Sequence, residues 1–288
     1  LWAAHTHRID AADITPYLAI LSVEKRSGKT RLFDILELVV SGPWRPIEPS
    51  DAVVYSLIDQ RHPTLLLDEA DALFGSRLAA AQHEALRAIL NASNRRGGTV
   101  PRLEMLGRER RVVEFDAFCP KAFAGIGSLP DTLEDRSIVI HLRRRARTEQ
   151  VSRYRRREAE PEGELIKTGL SSAMAAADLA GRHPEIPLEL DDRAADGWEP
   201  LLAIADVAGA AWTARARAAA LALSGDRRAS DESLGGRLLA DICEVFAAWP
   251  ARAMASAELV RQLCAREESP WGDLSGHLLT TQGLARRL

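Results

Sequence analysis

The chain has 288 residues, a formal net charge of −3 and 46% hydrophobic residues, which is enough for one large domain and one small domain. This charge excludes a protein that binds polyanions over its whole surface, so any contact with nucleic acid must be local. The chain lacks an apolar run near the roughly 18 residues of a membrane span, and its three cysteines are scattered, which predicts a cytoplasmic protein with no membrane segment and no disulfide framework.

The first predicted strand is the apolar run Tyr17–Leu21, and a helix is predicted just after Thr30. That helix is indicated by apolar residues at helical spacing, namely Leu32, Ile35, Leu36 and Val39. Between the strand and the helix lies Ser27-Gly28-Lys29-Thr30, the end of a phosphate-binding loop. Phosphate oxygens are favoured at such a turn, because the first helical N–H groups have no intrahelical partner and the helix dipole adds partial positive charge.

This loop predicts a site for ATP. Lys29 is expected to reach the β- and γ-phosphates, and the hydroxyl of Thr30 to ligate Mg²⁺. The residues expected to surround the phosphates are Glu24, Lys25, Arg26, Ser27, Gly28, Lys29, Thr30 and Arg31. Val23 departs from the usual G-x-x-x-x-G-K-[ST] pattern, since it stands where that pattern has its first glycine, so we expect a variant entry to the loop.

A second motif follows a helix that is predicted to begin after Ser50. The apolar strand Thr64–Leu67 runs directly into Asp68 and Glu69. Two carboxylates at the C-terminal end of a parallel strand lie where α/β proteins bind their ligands. We expect Asp68 to be the partner of Mg²⁺ and Glu69 to orient the attacking water. The alternative is a core strand that runs into an acidic helix start, but this leaves the first motif unexplained.

The rest of the predicted core alternates helices and strands in the α/β manner. Its elements are a helix from His83 to Asn94, a hairpin with the arms Thr99–Met105 and Arg110–Phe118, and the strands Lys121–Ile126 and Arg136–Leu142. Short helices with Pro and Gly breaks are expected up to Pro200, then an Ala-rich helical pair over Leu201–Leu223 and three short helices over Leu234–Leu288.

These patterns predict three parts. They are an ATPase core at residues 1–147, a helical lid at residues 148–228, and a small helical module, similar to a partial winged helix, at residues 229–288. The chain begins at Leu1 without a methionine, from which we expect a fragment of a longer protein.

Four segments carry a resemblance to a known family: Ser22–Arg31, Pro63–Asp71, Phe118–Gly127 and Leu129–Ser137. They resemble the P-loop ATPases of high-GC bacteria, their phages and integrated elements that are catalogued as a domain of unknown function. The resemblance extends to Asp192–Asp196 and Trp198–Asp206. More distantly, the layout is similar to AAA+ ring ATPases of the replicative-helicase and minichromosome-maintenance type, which carry a hairpin before the fourth strand. The implied fold is an AAA+-like P-loop core with an inserted β-hairpin, an all-α lid and a truncated winged-helix-like module.

The resemblance also implies roles for residues outside the two motifs. Arg136 matches the arginine that reaches the γ-phosphate of a neighbouring subunit, which implies a homo-oligomer such as a hexameric ring; the alternative is a structural salt bridge to Asp131 or Asp135. Ser128 is a candidate sensor of the γ-phosphate, and Arg193 is a candidate lid arginine. Three residues of the hairpin are implied to touch DNA phosphates, and the alternative is a solvated surface hairpin; they are Arg108, Arg110 and Arg111.

The function expected from the motifs and the resemblance is ATP hydrolysis by a ring-forming helicase, translocase or loader that acts on the DNA of a phage or mobile element. A second hypothesis is an ATP-gated switch or scaffold that works on protein partners without DNA. A third is a relic that binds nucleotide without turnover, suggested by Val23.

Overall fold

The computed structural model describes residues 1–23, 25–70, 84–106, 109–127, 129–146, 148–249, 253–265, 270–272 and 278–286. The chain divides into two compact units, Leu1–Leu223 and Ser224–Leu288. The first unit contains a five-stranded sheet, whose neighbouring strands pair in parallel, and a separate antiparallel ribbon of two strands. The chain is therefore a mixed α/β protein with a parallel sheet, as the sequence predicts. The three-part division into core, lid and C-terminal module stays a prediction.

The strands, in chain order, are β1 (Tyr17–Ser22), β2 (Pro43–Trp44), β3 (Thr64–Leu67), β4 (Thr99–Leu106), β5 (Glu109–Asp116), β6 (Lys121–Ile126) and β7 (Ser137–His141). The helices of the described residues are α1 (Trp2–Thr6), α2 (Lys29–Val39), α3 (Asp51–Arg61), α4 (Glu84–Ala92), α5 (Asp131–Glu134), α6 (Arg156–Ala176), α7 (Asp192–Ala208), α8 (Ala210–Ala247), α9 (Ser256–Cys264) and α10 (Thr281–Ala285). Short 3₁₀ helices cover Ile9–Ala11 and Pro270–Gly272. The strand order across the parallel sheet is β2-β3-β6-β1-β7.

The parallel sheet is buried on both faces. Side chains of β1 alternate between the faces, because successive residues of a strand point in opposite directions. Tyr17, Ala19 and Leu21 belong to a core cluster that includes residues of α3 and α4, whereas Leu18 and Ile20 belong to a cluster that includes α2 and Trp2. Such a doubly covered parallel strand is apolar along its whole length, which is why the run was recognisable in the sequence.

Most of the elements predicted for the core are confirmed. The strands predicted at Tyr17–Leu21, Thr64–Leu67, Lys121–Ile126 and Arg136–Leu142 are present, with bounds that differ by at most one residue at each end. The predicted hairpin is the ribbon β4–β5, and it precedes the fourth strand of the parallel sheet in chain order. The sequence analysis missed the edge strand β2, because two residues carry no periodicity.

The helices beyond the core are longer than the sequence predicts. The expectation of short, broken helices is wrong for α6, which is one helix of 21 residues with Pro161 inside it. A proline removes one backbone hydrogen bond, and packing can compensate for it. Gly163 supplies this packing, since a Cβ atom there would lie only 2.7 Å from the Cβ of Leu38 on α2. Helix α8 is also longer than predicted. The predicted helical pair ends at Leu223, and the next predicted helix begins at Leu234, whereas α8 is a single helix from Ala210 to Ala247.

The N-terminal helix α1 is held against the segment that precedes β1. The indole Nε1 of Trp2 donates to the carbonyl of Pro16 at 2.9 Å, and the Nε2 atom of His5 lies 3.0 Å from the hydroxyl of Thr15. His5 is fully buried, and burial lowers the pKa of its imidazole to about 4. The imidazole is therefore neutral in the folded protein at neutral pH.

The second unit has a core of its own. Its buried apolar side chains are Leu238, Leu259, Leu263, Trp271, Leu279 and Leu284. The indole of Trp271 is fully buried and donates to Asp241 Oδ2 at 2.6 Å, so its polar atom is satisfied within the unit. In the described part of the chain, no helix combines the length and the apolar character needed to cross a membrane.

Candidate functional site

The loop between β1 and α2 has the backbone of an anion-binding turn. Gly28 is the residue before α2 and has φ +97°, and Arg26 has φ +66°. Left-handed residues that alternate with right-handed ones turn successive N–H groups toward one side of the loop, which favours an anion there. Space around Gly28 is open, since a Cβ atom there would meet nothing within 4 Å. Val23 is 90% exposed at the entry, so its side chain does not fill the loop.

The start of α2 fits a phosphate. The residue that precedes the helix is Gly28, which has no side chain to accept hydrogen bonds from the first N–H groups of α2. Ser27 Oγ is buried and has no hydrogen-bond partner among the described residues. Uncapped helical N–H groups and an unsatisfied buried hydroxyl both cost free energy unless a ligand completes them. These features, together with Lys29, match what a phosphate group would need.

Lys29 lies in the first turn of α2 and turns back to the last residue of β1. Its Nζ atom donates to Ser22 Oγ at 2.5 Å, and both side chains sit at the carboxyl edge of the sheet. Thr30 and Arg31 follow on the exposed start of the helix. Lys29 and Thr30 thus stand at the start of α2 beside the end of β1, and their roles toward phosphate and metal stay predictions.

The second motif reaches the same edge of the sheet. Leu67, the last residue of β3, is in register with Phe123 of β6, which is in register with Ala19 of β1. Because only β6 separates them, β1 and β3 lie about 10 Å apart. Asp68 is partly exposed just beyond β3, and Glu69 is exposed with φ +56°. A positive φ in a non-glycine residue is strained and occurs often at functional sites.

A bridge of charged side chains joins the two motifs. Arg45 Nη1 donates to Asp34 Oδ1 at 2.9 Å, and Arg45 Nη2 donates to Asp68 Oδ2 at 2.5 Å. Asp34 lies on α2, five residues after Lys29, so one guanidinium links the helix of the first motif to the carboxylate of the second. The sequence analysis missed Arg45, whose only signal is its position after the two-residue strand β2.

Arg31 extends this cluster toward the start of the helical region. Its Nη1 atom donates to Asp34 Oδ2 at 3.2 Å, and its guanidinium lies 4.3 Å from the ring centroid of Tyr154. The carboxylate of Asp34 therefore accepts from two arginines, one on each oxygen. This arrangement fixes the first turns of α2 relative to the end of β3.

Thr30 and Asp68 offer the type of ligand that Mg²⁺ prefers. Hydroxyl and carboxylate oxygens are hard donors, and Mg²⁺ is usually held by one or two carboxylates together with phosphates of the substrate. Within the described ranges, no three His, Cys, Asp or Glu side chains are grouped so as to hold a metal ion. The donor set thus fits Mg²⁺ bound together with a nucleotide better than a metal held by protein alone.

Arg136 and Arg193 lie at the opposite, amino edge of the sheet. Arg136 comes directly before β7, and it donates through Nη1 to the carbonyl of Thr132 and through Nε to Asn94 Oδ1 at 3.3 Å. Arg193 pairs with Asp135. Both arginines line a cleft of about 350 Å³. The structure does not bring either of them to Lys29 and Asp68 within one chain.

The ribbon β4–β5 carries the predicted DNA-binding arginines on an exposed surface. Arg110 and Arg111 are exposed, and Arg111 donates to Glu109 Oε2 at 3.0 Å. Leu103 and Val112 are register partners, and they are 62% and 67% exposed. One face of the ribbon therefore exposes the apolar side chains of Leu103 and Val112, and Arg110, the register partner of Met105, lies on the same face. Three predicted site residues lie outside the described residues: Glu24, Arg108 and Ser128.

Comparison with known proteins places the chain in a family. Residues 141–288, just over half of the chain, match the family described as "Protein of unknown function (DUF3631)". The chain belongs to the DUF3631 family. The matched DUF3631 residues begin at the end of β7, so the roles of Lys29 and Asp68 rest on the geometry above.

A curated relative of this DUF3631 protein is the "Uncharacterized 28.9 kDa protein in xis 5'region" of Saccharopolyspora erythraea. The two are 41% identical over 133 residues, which cover 45% of this chain and 49% of the relative. The chain thus spans about half the length of that relative. The expected resemblance to a family catalogued as a domain of unknown function is confirmed, and its description as a P-loop ATPase stays a prediction.

Proposed function

We propose that the protein is a P-loop nucleoside triphosphatase that binds ATP at the carboxyl edge of its parallel sheet. The observation that carries this proposal is the bridge from Asp34 through Arg45 to Asp68, because it brings the phosphate loop and the acidic motif into one cluster. The uncapped start of α2 and the unsatisfied Ser27 Oγ support a phosphate ligand at this point.

The chemistry follows from the positions of four side chains. Lys29 leaves Ser22 and binds the β- and γ-phosphates, whose negative charge it offsets. Thr30 and Asp68 would hold Mg²⁺, and the ion would supply positive charge that neutralises the phosphates. Glu69 is exposed beside Asp68 and orients the water that attacks the γ-phosphate. The bond between the γ-phosphorus and the oxygen that bridges the β- and γ-phosphates breaks, ADP is the leaving group, and the second product is inorganic phosphate.

The distance between Arg136 and this site supports catalysis in an oligomer. Arg136 is separated from Lys29 by the length of β1, about 17 Å for five residue steps, so it cannot serve the triphosphate of its own chain. It can serve the triphosphate of a neighbouring copy, in a homo-oligomer of the AAA+ type. The exposed Arg110 and Arg111 then contact DNA phosphates, which makes the protein a motor or loader on DNA.

A second candidate function rests on the apolar face of the ribbon. Leu103, Met105 and Val112 are each more than 60% exposed on β4–β5, and contiguous exposed apolar residues mark surfaces that bind proteins. An ATP-gated switch that acts on a protein partner would use this face and would not need DNA.

An ATPase titration against DNA separates the two functions. Phosphate release is measured with single- and double-stranded DNA from low to physiological salt, and the mass of the protein is measured in parallel. A DNA motor gives stimulation that falls steeply as salt rises, because phosphate contacts release counterions. Turnover that is indifferent to DNA at every salt concentration favours the switch. No nucleotide binding at all contradicts both.

A further inference from the structure

Arg45 forms an ion pair with Asp68, the carboxylate that the proposed function assigns to the metal. Asp68 Oδ2 accepts from Arg45 Nη2 at 2.5 Å, and Asp68 Oδ1 accepts from the backbone N–H of Glu69 at 3.0 Å. Both oxygens of the carboxylate therefore have a donor in the protein without nucleotide. A cation that binds to Oδ2 competes with the guanidinium, because two positive charges held at contact distance by one oxygen repel each other.

The ion pair of Arg45 and Asp68 is partly shielded from water. The side chain of Arg45 is 20% exposed and that of Asp68 is 23% exposed. Screening by solvent is weaker here than for a surface pair, and hydrogen bonds between charged groups are stronger than neutral ones. Burial alone would lower the pKa of Arg45, but the hydrogen bonds and charges of Asp34 and Asp68 outweigh burial and raise it. A guanidinium is protonated in proteins at ordinary pH, so Arg45 brings a positive charge to Asp68.

Asp34 gives Arg45 a second anchor that does not depend on Asp68. Arg45 Nη1 donates to Asp34 Oδ1 at 2.9 Å, and the face of its guanidinium lies 5.6 Å from the ring centroid of Phe33. When Asp68 is released, the guanidinium can stay on Asp34 without loss of all its partners. Arg45 therefore has two arrangements. In one it binds both Asp34 and Asp68, and in the other it binds Asp34 alone, so that the carboxylate of Asp68 can bind another cation.

We propose that Arg45 is a latch on Asp68 that competes with the divalent metal ion and so sets the metal concentration that nucleotide binding requires. This inference rests on the proposed function, since it takes Asp68 as the metal ligand. In the metal-free protein Arg45 bridges Asp34 and Asp68. In the nucleotide complex Arg45 keeps its hydrogen bond to Asp34. Asp68 Oδ2, which Arg45 has released, then binds the metal. Arg45 is in this sense a positioning residue for the metal ligand.

The test measures metal binding directly. Mn²⁺ is titrated into the protein in the presence of a non-hydrolysable ATP analogue, and free Mn²⁺ is followed by its electron paramagnetic resonance signal. Arg45→Met removes the competing charge but keeps an unbranched side chain. We expect it to lower the Kd for Mn²⁺ about tenfold, which corresponds to about 1.4 kcal/mol. Arg217→Met is the matched control, because it removes an arginine from an ion pair, the one with Glu185, that lies outside the proposed nucleotide site; it should leave the Kd within about twofold.

A second variant predicts a shift in the opposite direction. Asp34→Asn removes the alternative carboxylate, so Arg45 stays on Asp68 and the Kd for Mn²⁺ should rise about threefold or more. Thermal unfolding of each variant checks that the fold is intact. Unchanged or weaker Mn²⁺ binding in a folded Arg45→Met protein overturns the latch.

The same titration separates failure of the latch from failure of the proposed function. If the wild type binds the ATP analogue through Lys29 and Arg45→Met leaves the metal affinity unchanged, only the latch is contradicted. If the wild type does not bind the analogue at any Mn²⁺ concentration, the nucleotide site itself is contradicted, and the latch with it.

Discussion

The backbone N–H of Tyr17 donates to the carbonyl of Arg136 at 2.9 Å, which fixes Arg136 beside the first residue of β1. The loop proposed to bind phosphate begins after the last residue of the same strand. Arg136 therefore stands at the far end of the strand from the proposed nucleotide site of its own chain. A role for its guanidinium at a triphosphate requires a second copy of the protein.

Mixing two inactive variants tests this relationship. Lys29→Ala should be inactive because it lacks the phosphate lysine, and Arg136→Ala should lose about 10³-fold or more in turnover because the transition state loses a cation. In a mixture, the intact Arg136 of one variant can serve the intact loop of the other. Phosphate release by the mixture should therefore exceed that of either variant alone.

The control for this mixture is a protein that carries both substitutions. Mixed with Lys29→Ala, it contributes no intact phosphate loop, so no activity should return. Arg136→Ala turnover equal to that of the wild type would show that Arg136 only braces Asn94 and Thr132, its partners in the ligand-free chain.

Glu69→Gln should separate nucleotide binding from hydrolysis. The amide is of similar size but is a poor base, so turnover should fall by about 10²–10⁴-fold while the affinity for ATP stays within a few fold. Phosphate release and equilibrium binding are measured on the same preparation. Binding that is retained while release stops supports an active enzyme over a relic, whereas equal turnover in both proteins removes Glu69 from the mechanism.

The ribbon β4–β5 offers two separable variants for the two candidate functions. Arg110→Gln with Arg111→Gln should make DNA binding less sensitive to salt. In a plot of the logarithm of the binding constant against the logarithm of the salt concentration, the slope should become shallower by about one for each lost phosphate contact. Leu103→Ser with Val112→Ser changes apolar residues of the face that also carries Arg110, keeps both arginines and should leave that slope unchanged. A slope that falls in this variant and not in the arginine variant would contradict the assignment of Arg110 and Arg111 to DNA phosphates.

His5 should make the stability of the fold depend on pH. Its pKa is about 4 in the folded protein and about 6.5 when unfolded, so the unfolded chain binds more protons between these values. Stability is therefore complete above pH 6.5 and falls as the pH drops toward 4. At pH 5 the loss is about 2 kcal/mol. Urea unfolding at pH 7 and pH 5 should show this loss in the wild type, and His5→Gln should reduce it; an equal loss in both proteins would assign the effect to other groups.

The sequence predicted the parallel sheet well because its strands are buried on both faces. An apolar run such as Thr64–Leu67 can then be read without long-range information. The lengths of the helices α6 and α8 were harder to predict from the sequence. Pro161 and the small residues near Ser224 have low helix propensity, so local sequence indicates that a helix ends near each of them. Packing such as that of Gly163 on Leu38 decides these cases, and local sequence does not contain it.

The candidate site was predictable where one short segment carries the chemistry. Ser27–Thr30 and Asp68–Glu69 each lie within a few residues, so residue type and spacing were sufficient to propose them as a candidate site, and their roles stay predictions. Arg45 was not predictable, because its role depends on a two-residue edge strand that aligns it with β3. Its contact with Asp68 arises only when the sheet is assembled.

Equilibrium binding of a fluorescent ATP analogue in the presence of Mg²⁺ tests the nucleotide site most directly. The wild type should bind with a saturable signal, and Lys29→Ala should bind at least about tenfold more weakly, because a charge-assisted contact to phosphate is lost. Lys167→Ala, in the middle of α6, is the matched control and should bind like the wild type. Equal affinity of the wild type and Lys29→Ala, or no binding by a folded wild type, would contradict the assignment of this site.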